Sequence, residues 1–319
     1  MSVQSLFQVE NQAEFRDLCN SCGYEVRDDA EFGLSIVRWT EKSNNDITPP
    51  IKGLIFESAT GKIVAPGVHI PRSEPTSDVE VIGYSPALDG VMFRGYFWNG
   101  SWRFSTNGSI IPGSWGNVSF DEMLSELIVK YENSIQAWNK DNCYFFVMEH
   151  TSHPNLYMPK ENLLTLVRVL TLDGLPAEHQ EKYNFKILPF VEGDETDYLM
   201  ALQDMDLSNC CTGPVDQDKF GLVVYYADGT TCRVLSKLGD QADSLMPNFP
   251  TVQQHWVFHV LNYLPEEVDY TGVAWYKNMF PWNAPMIERL NAWYKTHPND
   301  SSNPISMKKL ADDCLRAMA

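Results

Sequence analysis

SPALDGVMFRGYFWNGSWRFSTNGSI, residues 85–110, decides how this chain is read. Val91–Trp98 and residues 101–104 are rich in aromatic and β-branched residues. Asn99-Gly100 between them supplies the two positive-φ residues that a type I′ turn requires, so the stretch reads as a β-hairpin. The same logic predicts two more hairpins. Segments 53–57 and 62–66 flank Ala59-Thr60-Gly61, and segments 222–226 and 230–235 flank Ala227-Asp228-Gly229. Turn chemistry alone is also satisfied by ordinary surface hairpins.

Working outward, 11–22 reads as a short helix and 32–83 as strands and turns, with loops at 44–50 and 71–78. The best helix is 119–139. Ser119-x-x-Glu122 is a capping box, and Met123, Leu124, Leu127, Ile128, Tyr131, Ile135 and Trp138 follow at helical spacing. Apolar runs at 144–148 and Leu163–Thr171 suit buried strands, and 196–204 suits a helix. Past a cluster of Gly239, Pro247 and Pro250 the pattern turns helical, at 252–264, 284–296 and 306–318. The predicted division is a domain of residues 1–243 and a helical domain of residues 244–319.

The chain has 319 residues, 44% of them hydrophobic, which allows one large core and a smaller one. Its formal net charge is −18, concentrated before residue 243. Such a surface disfavours tight nonspecific nucleic-acid binding, which depends on Lys and Arg neutralising phosphates. Seven Cys without a regular framework point to free thiols in a reducing compartment. The polar start MSVQSLFQVENQAEF and the absence of an eighteen-residue apolar run predict a soluble, cytoplasmic protein with no membrane partner.

Four segments then stand in a specific order. Ala87-Leu88-Asp89-Gly90 comes first, and Phe104-Ser105-Thr106-Asn107-Gly108-Ser109 follows the hairpin turn. FFVMEHTSHPNLYM places Glu149 six residues before Asn155. Lys219-Phe220-Gly221-Leu222-Val223-Val224 and Cys232-Arg233-Val234-Leu235-Ser236-Lys237 close the set. This order resembles the ATP-dependent RNA ligase family, most closely its phage tRNA-repair type. There a Lys-x-Asp-Gly nucleophile motif precedes a Lys-Gly-Ser turn, a Phe-Glu strand, a Glu-Gly-x-Val strand and a Lys-x-Lys strand. GLIFESATGKIVAPG, residues 53–67, is similar to the segment before the nucleophile. The resemblance spans about 50–240.

The resemblance implies an α+β fold: an antiparallel-sheet nucleotidyltransferase (ligase adenylation) domain, here followed by a small helical domain. It implies ATP with Mg2+ or Mn2+ as cofactors, and nucleotide and RNA ends as partners. It implies a nucleotide site made by Leu88, Asp89, Gly90, Arg94, Ser105, Asn107, Gly108, Glu149, Gly221, Val223, Arg233 and Lys237, with Glu149 and Asp89 as metal candidates. The departures are equally specific. Ala87 stands at the nucleophile position, Phe220 where the fourth motif has glutamate, and Arg233 and Leu235 where the last motif has lysines. Adenylyl transfer needs an amine aligned on the α-phosphorus, and an alanine methyl cannot attack. Two explanations stand side by side: a Lys→Ala replacement in an otherwise working ligase, or a natural pseudo-ligase that binds a nucleotide, RNA or a protein partner.

Other candidates carry less. Cys19-x-x-Cys22 and Cys210-Cys211 lack a second pair at zinc-finger spacing. His255 and His259, four apart on a predicted helix, lack a nearby acidic ligand. His150 and His153 follow Glu149 and are candidates to line the nucleotide pocket. Trp275, Tyr276, Phe280, Trp282, Trp293 and Tyr294 suit helix packing or base stacking, and few basic residues are interleaved for the latter.

Overall fold

Among the described residues, alternating apolar residues build three largely antiparallel sheets of four or five strands, each covered on at least one face by a helix or by another sheet. A computed structural model describes residues 12–40, 51–115, 118–151, 159, 161–177, 185–208 and 220–245. The predicted helices beyond 250, and with them His255, His259 and the six aromatic residues from 275 to 294, lie outside the described residues. So do His153 and Cys210-Cys211.

The described chain opens with α1 (Gln12–Ser21), whose Phe15 and Cys19, with Cys22 just past its end, pack on Tyr24, Val37 and Phe56. The first sheet, in the order β1-β2-β4-β5, follows: β1 (Glu25–Asp29), β2 (Leu34–Arg38), β4 (Ile55–Glu57) and β5 (Ile63–Ala65). Its β4–β5 hairpin is the one predicted at 53–66. Two short strands, β3 (Ile51–Lys52) and β6 (Val68–His69), pair beside it.

β7 (Val81–Pro86) leads into the central hairpin, β8 (Val91–Trp98) and β9 (Ser101–Thr106). Trp98 faces Ser101, and Asn99 and Gly100 have φ of 47° and 79°, the positive values that the predicted turn demands. The strand runs to Thr106, two residues past the predicted end. A small ribbon, β10 (Ser114–Trp115) with β11 (Val118–Ser119), precedes α2 (Phe120–Gln136). Ser119 is its N-cap: the Ser119 Oγ accepts from the Glu122 N–H at 3.2 Å.

The second sheet has the order β14-β13-β12-β8-β9. It adds β12 (Asn142–Glu149), β13 (Leu163–Thr171) and β14 (Lys186–Ile187), the last pairing parallel with β13. Tyr144, Phe146 and Met148 point to the α2 side, where they meet Met123, Leu124, Leu127 and Trp138. Cys143 and Phe145 point to the other side and join Leu34, Ile36 and Ile55 of the first sheet. β12 is buried along its whole length because it is covered on both faces.

The third sheet, β15-β7-β16-β17, is built from distant parts of the chain: β15 (Val191–Glu192), β16 (Gly221–Tyr226) and β17 (Thr231–Leu235) join β7. Helix α3 (Glu195–Ser208) covers one face through Tyr198, packed with Leu222, Val224 and Tyr226. The described chain closes with α4 (Lys237–Leu245). The last strand, expected at 230–235, runs Thr231–Leu235 and ends before Ser236. The Ser236 Oγ accepts from the Gly239 N–H at 3.0 Å and caps α4, so Lys237 is the first helical residue. No helix among the described residues is long and apolar enough to cross a membrane.

Candidate functional site

Residues 87–90 carry the chain from the third sheet to the second, and both ends of this crossing are pinned. At one end the Ala87 N–H donates to the Gly221 carbonyl at 2.8 Å. At the other, a Cβ on Gly90 would lie 2.3 Å from the Met148 carbonyl oxygen, so only glycine lets β8 approach β12 this closely. Leu88 and Asp89, between the pinned ends, are half-buried. Ala87 itself is fully enclosed.

Strand register then gathers the predicted residues in two groups. On the third sheet Val223 sits opposite both Ser85 and Arg233, and Gly221 opposite Leu235. Gly221 is again a close approach: a Cβ would meet the Val234 carbonyl oxygen at 2.5 Å. Arg233 is exposed, and its Cζ lies 4.7 Å from the centroid of the buried Phe220 ring. The ring holds the guanidinium by cation–π attraction, and among the described residues no carboxylate pairs with it. On the second sheet Glu149 ends β12 beside the Gly90 crossing. It is buried, and Thr165 Oγ1 donates to its Oε2 at 3.4 Å.

Five predicted residues, Arg94, Ser105, Asn107, Gly108 and Lys237, are placed elsewhere. Arg94 is buried in the sheet interior. It donates from Nε to Ser105 Oγ at 2.9 Å, from Nη1 to the Pro66 carbonyl at 3.0 Å and from Nη2 to the Thr106 carbonyl at 2.9 Å. Burial lowers its pKa from the ordinary guanidinium value. Ser105 is buried with it, and Gly53 has no side chain because a Cβ there would lie 2.4 Å from Arg94 Nη2. Lys237 points away on α4, its ammonium 3.8 Å from Asp206 and mostly exposed. Asn107 and Gly108 form the turn after β9, in which Asn107 Nδ2 approaches Met92 Sδ at 3.4 Å and Thr106 Oγ1 accepts from the Gly108 and Ser109 N–H groups.

His150 is committed to a network rather than to an open pocket. Its Nε2 lies 3.3 Å from Glu126 Oε2 and 3.0 Å from Asn162 Nδ2. Hydrogen bonds from Asn162 and then from His150 hold the Glu126 carboxyl below its usual range. Among the described residues no group of three or more His, Cys, Asp or Glu side chains is gathered as a metal centre.

The Cys19-x-x-Cys22 pair is buried at the end of α1 and unbridged. Burial, reinforced by Cys22, pushes the Cys19 thiol up to about 12, and burial alone does the same for Cys143, to about 12. Both therefore stay protonated and unreactive at pH 8. Iodoacetamide at that pH is expected to leave Cys19 and Cys143 unmodified in peptide maps of the native protein and to modify both after denaturation.

Sequence reasoning passed over Arg168 and Tyr225, which bring the second and third sheets into contact. Arg168 Cζ lies 5.8 Å from the Tyr225 ring centroid. The available signal was a lone charge inside the apolar strand LLTLVRVLT.

No protein-family model matches the chain, and no curated protein matches it. Solved structures do. An archaeal ATP-dependent RNA ligase aligns over 96% of this chain and 86% of its own, with a TM-score of 0.50 and 11% identity. A second form of an archaeal ATP-dependent RNA ligase aligns over 91% and 80%, with a TM-score of 0.49 and 12% identity. A Naegleria gruberi RNA ligase mutant with ATP and Mn aligns over 52% of each chain, with a TM-score of 0.38 and 14% identity. The first of these likenesses establishes that the chain has the fold of an ATP-dependent RNA ligase, the antiparallel-rich fold expected for residues 50–240.

Proposed function

We propose that this chain is an RNA ligase-like nucleotidyltransferase that binds ATP at the crossing between the second and third sheets and does not adenylate itself. The observation that carries this reading is the pinned crossing at 87–90. It brings Ala87, Gly221, Val223 and Arg233 to one side and Gly90 with Glu149 to the other, and it sets a methyl group where a nucleophile is needed. The donor set suits a nucleotide. Arg233 would hold a phosphate through its planar fork, Val223 would flank the base, and Glu149 would take a ribose hydroxyl or a divalent cation. A Mg2+ or Mn2+ ion would screen the phosphates, drawing most of its ligands from phosphate oxygens and water because few protein carboxylates converge. RNA ends are the proposed second partner.

The second reading is a binding module with no catalytic step, acting on a nucleotide, RNA or a protein partner. Phe220 favours it. Its fully buried ring fills the place of a carboxylate and supports Arg233, an arrangement for holding an anion rather than for moving one.

The test has two parts. Incubation with α-labelled ATP and Mg2+ or Mn2+, followed by denaturation, is expected to leave no labelled protein; a surviving labelled band would overturn the reading. Calorimetric titration with a non-hydrolysable ATP analogue is expected to show binding. Arg233→Ala should weaken it about ten- to a hundredfold, the loss of a charge-assisted hydrogen bond of about 1.5–3 kcal/mol. Equal affinities in two proteins that melt alike would remove Arg233 from the phosphate. Labelling of Ala87→Lys alone would support a site intact except for its nucleophile. Silence in a folded Ala87→Lys protein would support the binding module.

A further inference from the structure

The face of the third sheet that carries Val223 also carries a recess, toward the end of β16 away from Gly221. Tyr225 forms part of it, four residues along β16 from Gly221, or about 13 Å at the usual rise of a strand. The recess has a volume of about 360 Å³, near the lower end of the roughly 300–1,000 Å³ common for small-molecule sites.

Its walls are constructed rather than incidental. The Tyr225 hydroxyl is hydrogen-bonded to Ser85 Oγ at 3.1 Å, which fixes the ring. Phe190 stands edge-on to that ring, with centroids 5.4 Å apart and an interplanar angle of 78°. Gly83 makes room for it, since a Cβ there would lie 2.4 Å from Phe190 Cζ. Arg168 covers Tyr225 from the second sheet. Ile82 and Phe190, 46% and 49% exposed, leave the mouth open to solvent.

The charge is as informative as the shape. Among the described residues no Asp or Glu lines the recess. Asp228, next to lining residue Gly229, is already bonded to Arg72 at 2.8 Å and to Thr230. Among the described residues no carboxylate pairs with Arg168. An acidic protein thus sets a guanidinium in an aromatic slot with no carboxylate partner among the described residues. Such a slot attracts a planar ring that bears an anion, because the ring gains apolar and stacking contact while the anion neutralises the cation.

We propose that this recess is a second ligand site, which takes a nucleoside monophosphate unit with its base against Phe190 and Ile82 and its phosphate on Arg168. The unit has two sources, a free mononucleotide or the end of a single RNA strand.

The test uses the full chain carrying Arg233→Ala, which weakens the other proposed site. AMP, a 5′-phosphorylated tetraribonucleotide and inorganic phosphate are titrated by calorimetry. AMP is expected to bind, and more tightly than inorganic phosphate. Arg168→Met, added to that background, should weaken AMP about ten- to a hundredfold, and Phe190→Ala should weaken AMP but not phosphate. Equal affinity for AMP and the tetranucleotide identifies a free nucleotide as the source; much tighter binding of the tetranucleotide identifies a strand end. Unchanged AMP and tetranucleotide binding in a stably folded Arg168→Met protein would overturn the site, as would absence of binding to the background protein. Phosphate binding as tightly as AMP would overturn the base slot. Should Arg168→Met melt early, Arg168→Lys keeps the charge without the fork, and an unchanged affinity there would count equally against the proposal.

Discussion

Replacing Arg94 by alanine is expected to destabilise the protein by about 3–5 kcal/mol, the range for emptying a large buried site and stranding its polar partners. Two effects oppose each other. Removing the guanidinium relieves a buried cation that has no carboxylate partner among the described residues, which is a gain. It also strands three buried acceptors, Ser105 Oγ and the carbonyls of Pro66 and Thr106, and empties the space beneath Gly53. Each stranded acceptor costs about 1–3 kcal/mol, so the losses win. Urea melts of the two proteins would measure the difference. Arg94→Met restores volume without hydrogen bonds and should fall between them. A wild-type melting curve for Arg94→Ala would show that the guanidinium is not the clamp described. Arg233→Ala should leave the melting curve in place, which separates the arginine that holds the fold from the one proposed to hold a phosphate.

Trp138→Ala should cost a similar amount, about 3–5 kcal/mol, by opening a cavity in the α2 core. The indole lies one residue past the helix C-cap and is almost fully buried. It stacks on Tyr144 at 4.3 Å and on Phe146 at 5.3 Å, and meets Trp102 edge-on at 5.0 Å. A Cβ at Gly95 would lie 2.7 Å from Trp138 Cζ3, so β8 is shaped to admit the ring. Neighbouring aromatics cannot collapse into the gap without leaving their own contacts. The urea midpoint of Trp138→Ala should fall without a change in slope, and Trp138→Phe should recover part of the loss. A midpoint equal to wild type would place the stability of this layer elsewhere.

The elements legible in the sequence were those whose cause is local. Asn99-Gly100 declared its hairpin because the two positive φ values belong to those two residues. Ser119-x-x-Glu122 declared the start of α2 because a cap is settled within one turn. The order of Ala87-Leu88-Asp89-Gly90, Glu149, Gly221 and Arg233 was likewise visible, and the strand register brings Ala87 to Gly221 and Gly90 to the end of β12. What was hidden depends on contacts across the chain. A lone arginine in an apolar strand reads the same whether it faces a ligand or the interior, and Arg94 turned inward because Pro66 and Thr106 offered carbonyls. The Arg168–Tyr225 contact joins residues on different sheets, and no local spacing announces it. Lys237 was the avoidable case, since Ser236 three residues before Gly239 is a serviceable helix cap.

The third sheet has a consequence for how the chain matures during synthesis. Among the described residues β7 pairs only with β15 and β16, and its main partner begins at residue 221. The second sheet needs nothing beyond residue 187. A chain emerging from the ribosome can therefore settle its aromatic layer while β7 is still waiting, and pairings between such distant segments form slowly. The bond from Ala87 to Gly221 belongs to that late event, so the crossing proposed to hold a nucleotide is assembled last, and a chain stalled before residue 221 carries a folded core without it.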